Sequence, residues 1–118
     1  MSGVAWKLVD QAEWTAARAA GVYAGSAVDL ADGFIHMSGV DQLAETARRH
    51  YAGRSGLVLV TVDLTRLGDD LKWEASRDGA LFPHLYAPLP VAAATEARAL
   101  SVDDDGVMRF EDGAATWP

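Results

Sequence analysis

The chain has 118 residues, a formal net charge of −7, a pI of about 4.7 and no cysteine. Its acidity disfavours general binding to DNA, RNA or anionic membranes, whose phosphates repel a negative surface. The lack of cysteine excludes disulfides, thiolate metal ligands and a cysteine nucleophile. We expect one domain over residues 1–112 and a flexible tail over 113–118.

The first predicted elements are a strand and a helix. Residues 5–9 are mostly apolar and predict the strand. Asp10 then offers a helix N-cap, and Glu13 stands three residues later in a capping-box arrangement. The helix is expected to reach about Ala20, where Gly21 can end it.

The region that follows gives weaker signals. Residues 23–31 predict a loop with a short strand, because glycine and serine interrupt them. Residues 34–37 predict a short extended segment. Ser38 is then the expected N-cap of a second helix, whose apolar residues have helical spacing over 40–51 and which Gly53 ends.

The middle of the chain predicts two strands. Residues 57–62 are almost continuously apolar, which is typical of a central strand covered on both faces. Residues 71–75 alternate, which places Glu74 on the face opposite Trp73.

The last third predicts a loop and a hairpin. Residues 82–86 contain Pro83 and lie close to two further prolines, so we expect a stiffened loop there. Two strands, at about 95–102 and 107–110, flank a run of three aspartates and a glycine, which predicts a closing hairpin.

These elements together predict an α+β domain with a mixed or antiparallel split β structure and two helices in its N-terminal half. The first nine residues lack a long apolar stretch, so no signal peptide is expected. No segment approaches the length of a membrane span. We therefore expect a cytoplasmic protein.

The first candidate cluster is His36 and Ser38, at the predicted junction of a strand and a helix. Helix starts favour anions, so these side chains could bind a ribose hydroxyl, a phosphate or a carboxylate. The alternative is that Ser38 only caps the helix while His36 bonds a backbone carbonyl in the core.

The second candidate cluster is His84 and Tyr86 in the predicted proline-stiffened loop. Such loops often line sites, because a scaffold holds their side chains in place. Glu74 could act as a base or anchor a hydroxyl if its strand face looks into the same cleft. The alternatives are that His84 and Tyr86 only satisfy buried polar groups, and that Glu74 pairs with Lys72 or Arg77 at the surface.

A metal site is not expected. The three histidines, His36, His50 and His84, lack the tight spacing of zinc ligands. The run Asp103–Gly106 lacks the full pattern of a calcium loop.

Three segments taken together resemble the bacterial domain-of-unknown-function family 952. They are Asp32–Ser38, Leu71–Glu74 and Phe82–Pro90, and the resemblance covers nearly the whole chain. Two positions depart mildly from the family pattern: Met37 stands where leucine is usual, and Ala87 where glycine is usual.

The resemblance implies an ADP-ribosyltransferase-like fold, whose cleft holds NAD in the true enzymes. His36 is then the natural residue to bind a ribose. Glu74 and His84 become candidate catalytic residues, and Ser38, Tyr86 and Arg77 candidate ligand-binding residues. NAD is the cofactor or ligand that this resemblance implies, although a shared fold is not proof of activity.

We expect these clusters to line one cleft for a small-molecule ligand of the NAD or ADP-ribose type, with or without turnover. Two alternatives remain open. The chain could be a non-catalytic module for another metabolite, or a protein-interaction module whose histidines are structural.

Overall fold

The computed structural model describes residues 3–76 and 79–111. The predicted tail at 113–118 and Arg77 lie outside the described residues. The strands are β1 Val4–Asp10, β2 Val22–Tyr23, β3 Ile35–His36, β4 Leu57–Asp63, β5 Leu71–Ala75, β6 Leu81–Leu85, β7 Leu89–Pro90, β8 Ala94–Val102 and β9 Met108–Phe110. The helices are α1 Gln11–Ala20, α2 Ala27–Asp32 and α3 Leu43–His50.

These elements confirm a small α+β domain with antiparallel strand pairing. A four-stranded sheet has the order β1-β4-β8-β9, a three-stranded sheet has the order β3-β6-β5, and β2 pairs with β7. No helix in the described part of the chain is both long and apolar enough to cross a membrane.

The prediction of a central strand at 57–62 is confirmed. β4 lies between β1 and β8, and its alternate side chains enter two different cores. Val58 and Val60 face α1 and the smaller sheets, whereas Leu57 and Leu59 face α3 and β9. This arrangement explains its continuously apolar sequence, because neither face meets water.

The predicted first helix is also confirmed. Asp10 caps α1 by accepting hydrogen bonds from the backbone N–H groups of Ala12 and Glu13. Gly21 ends it in the left-handed conformation, with φ +87°. The closing hairpin forms as predicted from β8 and β9.

The expectation of only two helices is wrong, because α2 occupies most of the segment predicted as a loop. Ser26 and Asp29 form a reciprocal capping box, in which each side chain bonds the backbone N–H of the other residue. A cap of this kind satisfies free N–H groups at the helix start and stabilises even a short helix. Gly33 then ends α2 at φ +87°.

The predicted helix cap at Ser38 is wrong. Ser38 exchanges backbone hydrogen bonds with Trp6 of β1, at 2.8 Å each way, and α3 begins only at Leu43. This bridge ties the end of β3 to the four-stranded sheet, so Ser38 continues extended backbone where a cap was expected.

The loop predicted at 82–86 is largely the strand β6, at the centre of the three-stranded sheet. Pro83 is tolerated there because the N–H and C=O of one residue in an antiparallel strand face the same neighbour. Its carbonyl accepts from Met37, just beyond the two-residue strand β3. The N–H that Pro83 lacks would therefore point to the side of β3, just beyond the end of that strand. No hydrogen bond between β6 and β5 is lost.

The β8–β9 turn packs tightly against α3 at Gly106. This glycine is buried and adopts φ +84°. A Cβ atom at this position would lie 2.6 Å from Cα of Arg48, which is closer than real Cβ contacts. Only glycine therefore fits between the turn and the helix.

Candidate functional site

The three-stranded sheet has one apolar and one polar face, and the polar face carries residues of both predicted clusters. Ile35 and Leu85 pair across β3 and β6 and point into the core. The next pair, His36 and His84, faces the other way. Lys72 of β5 pairs with His84 in turn, so these three residues form a row across the sheet.

His36 is held between two carboxylates of α2. Its Nδ1 lies 2.6 Å from Oδ1 of Asp29, which also accepts the backbone N–H of His36 at 3.1 Å. Its Nε2 lies 2.9 Å from Oδ2 of Asp32. The His36 side chain is 35% exposed and that of Asp32 is 49% exposed, so this side of the ring is open to a ligand.

Asp29 is buried and paired with an equally buried lysine. Nζ of Lys7 lies 3.1 Å from Oδ2 of Asp29 and donates to the backbone carbonyl of His36 at 2.8 Å. Burial alone would raise the pKa of the Asp29 carboxyl. The hydrogen bond from His36 and the charge of Lys7 outweigh it and hold this pKa well below its ordinary value. Asp29 is therefore an ionised support that fixes the orientation of the His36 ring.

His84 is held by a carboxylate from the opposite strand. Its Nδ1 lies 2.9 Å from Oε1 of Glu74, and the Tyr86 hydroxyl donates to the same oxygen at 2.6 Å. The Tyr86 hydroxyl and then the His84 ring lower the pKa of Glu74, while this bond raises the pKa of Tyr86. Glu74 thus stays ionised and keeps a hydrogen on Nδ1 of His84.

The free nitrogen of His84 reaches the surface of the cluster. The His84 side chain is only 7% exposed, but among the described residues no partner contacts Nε2. An unpartnered Nε2 that was fully buried would count among the unsatisfied buried atoms of the described residues, and it does not, so it reaches solvent. This nitrogen is therefore available to a ligand as a hydrogen-bond acceptor.

Phe34 gives the cluster an aromatic wall. Its ring stacks on His84 with centroids 4.2 Å apart and planes inclined by 27°. It also contacts the rings of His36 and Tyr86, at 4.6 Å and 5.1 Å. The two histidine rings are 5.6 Å apart and edge-on. Four of the predicted site residues thus meet in one place: His36, Glu74, His84 and Tyr86.

Ser38 lies apart from this cluster. Its side chain is buried, and its hydroxyl lies 3.1 Å from that of Thr46 in α3. The hydroxyl joins β3 to α3, which is a structural contact.

We expect Ser38→Ala to lower the free energy of unfolding by about 0.5–1.5 kcal/mol, the usual net value of one hydrogen bond. Chemical denaturation would measure the change. Thr46→Val, which removes the partner hydroxyl, is the companion variant, and the double variant should cost less than the sum. A loss of ligand binding at unchanged stability would contradict this role.

Two further predictions about site residues stay predictions, on Arg77 and on metals. Arg77 lies outside the described residues. As for metals, no group of three or more histidine and acidic side chains in residues 3–76 and 79–111 is placed to hold an ion.

Four contributors to the site were missed by sequence reasoning: Lys7, Asp29, Asp32 and Phe34. Two of them carried a signal. Lys7 alternates with the apolar Ala5 and Val9, which places a lysine on the core face of a strand. Asp29 stands three residues after Ser26, the spacing of a capping box.

Two grooves open elsewhere on the surface. One, of about 290 Å³, is lined by Trp14, Arg18 and the start of β8. The other, of about 460 Å³, is an apolar groove along α1, β2 and α2. Neither of these two grooves includes His36 or His84.

Comparison with known proteins places these observations in a family. The model of the family described as "Protein of unknown function (DUF952)" matches residues 8–97. The crystal structure of protein CC0527 from Caulobacter crescentus is 53% identical, with a TM-score of 0.84, over 89% of this chain and 92% of that one. The solution NMR structure of CC0527 is 52% identical, with a TM-score of 0.77, over 89% of this chain and 90% of that one. Curated proteins gave no match.

The matched residues include β3, β5 and β6, and with them both histidines and their carboxylate partners. The likeness to CC0527 extends over most of both chains. This chain therefore belongs to the DUF952 family of proteins of unknown function.

Proposed function

We propose that the polar face of the three-stranded sheet binds a small molecule of the NAD or ADP-ribose type. One observation carries the proposal. His36 and His84 are paired across neighbouring strands, and a carboxylate holds Nδ1 of each ring. Functional sites are built from side chains whose orientation is fixed by supporting hydrogen bonds, as it is for these two rings.

The fixed Nδ1 atoms determine what each ring can offer. In each histidine the remaining nitrogen, Nε2, is the atom that can face a ligand, although in His36 it contacts the half-exposed Asp32. Nε2 of His36 would contact an oxygen of the sugar–phosphate part of the ligand. Nε2 of His84 would accept a hydrogen bond from a hydroxyl or an amide.

The other cluster residues suit a ligand with a flat, cationic ring. The exposed ring of Tyr86 and the edge of Phe34 could stack on it. Glu74 would orient a hydroxyl, or stabilise positive charge on the ribose carbon as nicotinamide leaves. In this proposal the α+β architecture is of the ADP-ribosyltransferase-like type, with Arg77 as a further ligand-binding residue. Ser38 takes no part, because its hydroxyl faces Thr46.

The second candidate function is an interaction module with structural histidines. It is favoured by one observation: the His84 side chain is 7% exposed and stacked on Phe34, so it contributes to packing. On this view His84→Ala would lower stability by about 1–3 kcal/mol, as for a lost buried hydrogen bond, and affect no ligand.

Titration of NAD and ADP-ribose, followed by the NMR signals of the histidine rings and backbone amides, tests the proposal. We expect saturable shifts at His36, His84 and Phe34. His36→Ala should weaken binding by about tenfold or more, because a hydrogen bond to a charged group contributes about 1.5–3 kcal/mol.

His50→Ala is the matched control, since His50 is exposed on α3 and has no place in the cluster. It should leave binding unchanged. The proposal fails if the wild type shows no saturable shift with either compound at millimolar concentration, or if both histidine variants bind alike. Product formed over long incubation would separate an enzyme from a binding protein.

A further inference from the structure

Asp32 occupies the position next to His36 that a ligand would need. Oδ2 of Asp32 lies 2.9 Å from Nε2 of His36. Nδ1 of the same ring is held by the buried Asp29. Nε2 is therefore the ring nitrogen that can face a ligand, and in the free protein the carboxylate of Asp32 already stands beside it.

The contact with Asp32 is easily broken, in contrast to that with Asp29. The Asp32 side chain is 49% exposed, whereas that of Asp29 is 2% exposed and also bonded to Lys7 and Ser26. Asp32 is also the last residue of α2, where the free carbonyl groups of the final turn repel a carboxylate. Exposed ion pairs contribute little to stability, so Asp32 can turn into water at small cost.

The group that best replaces a carboxylate is another oxyanion. A neutral hydroxyl would exchange a charge-assisted contact for a weaker one. With Asp32 turned away, Lys72 remains in the same row of side chains as His36 and His84, and its positive charge attracts an anion to this face.

We propose that His36 Nε2 is an oxyanion site and that Asp32 is its built-in competitor, displaced by a phosphate or carboxylate oxygen of the ligand. The position of this site rests on the binding face proposed above. The proposal does not depend on the identity of the ligand proposed there. According to this proposal Asp32 weakens ligand binding, whereas a residue that holds the ligand would strengthen it.

The test is titration of inorganic pyrophosphate at constant ionic strength, followed by the ring signals of His36. Asp32→Ala should bind pyrophosphate about threefold to fivefold more tightly than the wild type, the range expected from removing an exposed ion pair. Acetate in place of pyrophosphate distinguishes a carboxylate site from a phosphate site.

Asp105→Ala is the control, because it removes the same charge from an exposed turn of the other sheet. It should bind pyrophosphate as the wild type does. His36→Ala combined with Asp32→Ala should lose the gain. Equal affinity in Asp32→Ala and Asp105→Ala overturns the proposal, as does a gain that survives loss of His36, or the lack of a saturable His36 shift in every variant.

These outcomes are separate from those for NAD. If NAD binds but Asp32→Ala gives no gain for either anion, the cleft stands and the competitor role of Asp32 fails. If pyrophosphate binds more tightly to Asp32→Ala but NAD does not bind, the oxyanion site stands and the proposed ligand is wrong.

Discussion

Replacing Asp29 by asparagine should lower the free energy of unfolding by about 3–5 kcal/mol, the range for breaking a buried ion pair by removing one partner. The substitution leaves the Lys7 ammonium 6% exposed with no carboxylate beside it. It also replaces one of two accepting oxygens by an NH2 donor, although Oδ1 now accepts from His36 and Oδ2 from the backbone N–H of Ser26. Denaturation by urea would measure the loss.

Asp32→Asn is the matched control. It makes the same chemical change at a half-exposed carboxylate on the same helix and should cost less than about 1 kcal/mol. Combining Asp29→Asn with Lys7→Met should recover much of the lost stability, because no buried charge is then left unpaired. A single Asp29 variant within about 1 kcal/mol of the wild type would show that the pair does not support the fold.

The pH dependence of stability provides a second test of the buried ion pair between Asp29 and Lys7. The pKa of Asp29 is lower in the folded protein than in the unfolded chain. Its contribution is therefore fully present well above the unfolded value of about 3.9 and is lost as the pH falls towards the folded value. The stability difference between wild type and Asp29→Asn should shrink steadily below about pH 5. Other carboxylates titrate in both proteins and cancel.

The second large effect is expected at Gly106. Alanine there would place Cβ 2.6 Å from Cα of Arg48, in a residue whose φ is +84°. Left-handed backbone costs about 1–2 kcal/mol and forced overpacking about 1–3 kcal/mol, so the sum is about 2–5 kcal/mol. Thermal unfolding would detect such a change as a large fall in Tm.

Gly68→Ala separates the two causes. Gly68 also has a positive φ, of 68°, but a Cβ added there would meet nothing within 4 Å. This variant should show the backbone cost alone, about 1–2 kcal/mol. If both glycine variants lose the same stability, the close approach of the turn to α3 contributes nothing.

Much of the fold follows from local patterns. The apolar run of β4, the cap at Asp10 and the hairpin around Asp103–Gly106 each act within a few residues, so their structures could be predicted. The strand β6 could not, because its place in the sheet depends on where β3 stops. Pro83 normally argues against a central strand, and only the two-residue length of β3 removes that objection.

The candidate site, like the fold, could be predicted from the sequence only in part. Histidine and carboxylate residues could be selected from the sequence, and the structure brings His36, Glu74, His84 and Tyr86 together. The pairing of Asp29 with Lys7 could not be predicted, since 22 residues separate them and a short helix had to be recognised first. Long-range electrostatic partners are set by the whole topology, not by spacing.

The strands of the two larger sheets are interleaved in the order of the sequence. The four-stranded sheet takes residues 4–10, 57–63 and parts of 94–110, while the three-stranded sheet takes segments between 35 and 85. Neither sheet can detach without pulling on the other, so we expect one cooperative opening unit. A ligand on the histidine face would then slow hydrogen exchange in β4, which belongs to the other sheet. At a hundred times its Kd, that protection would be about 2.7 kcal/mol.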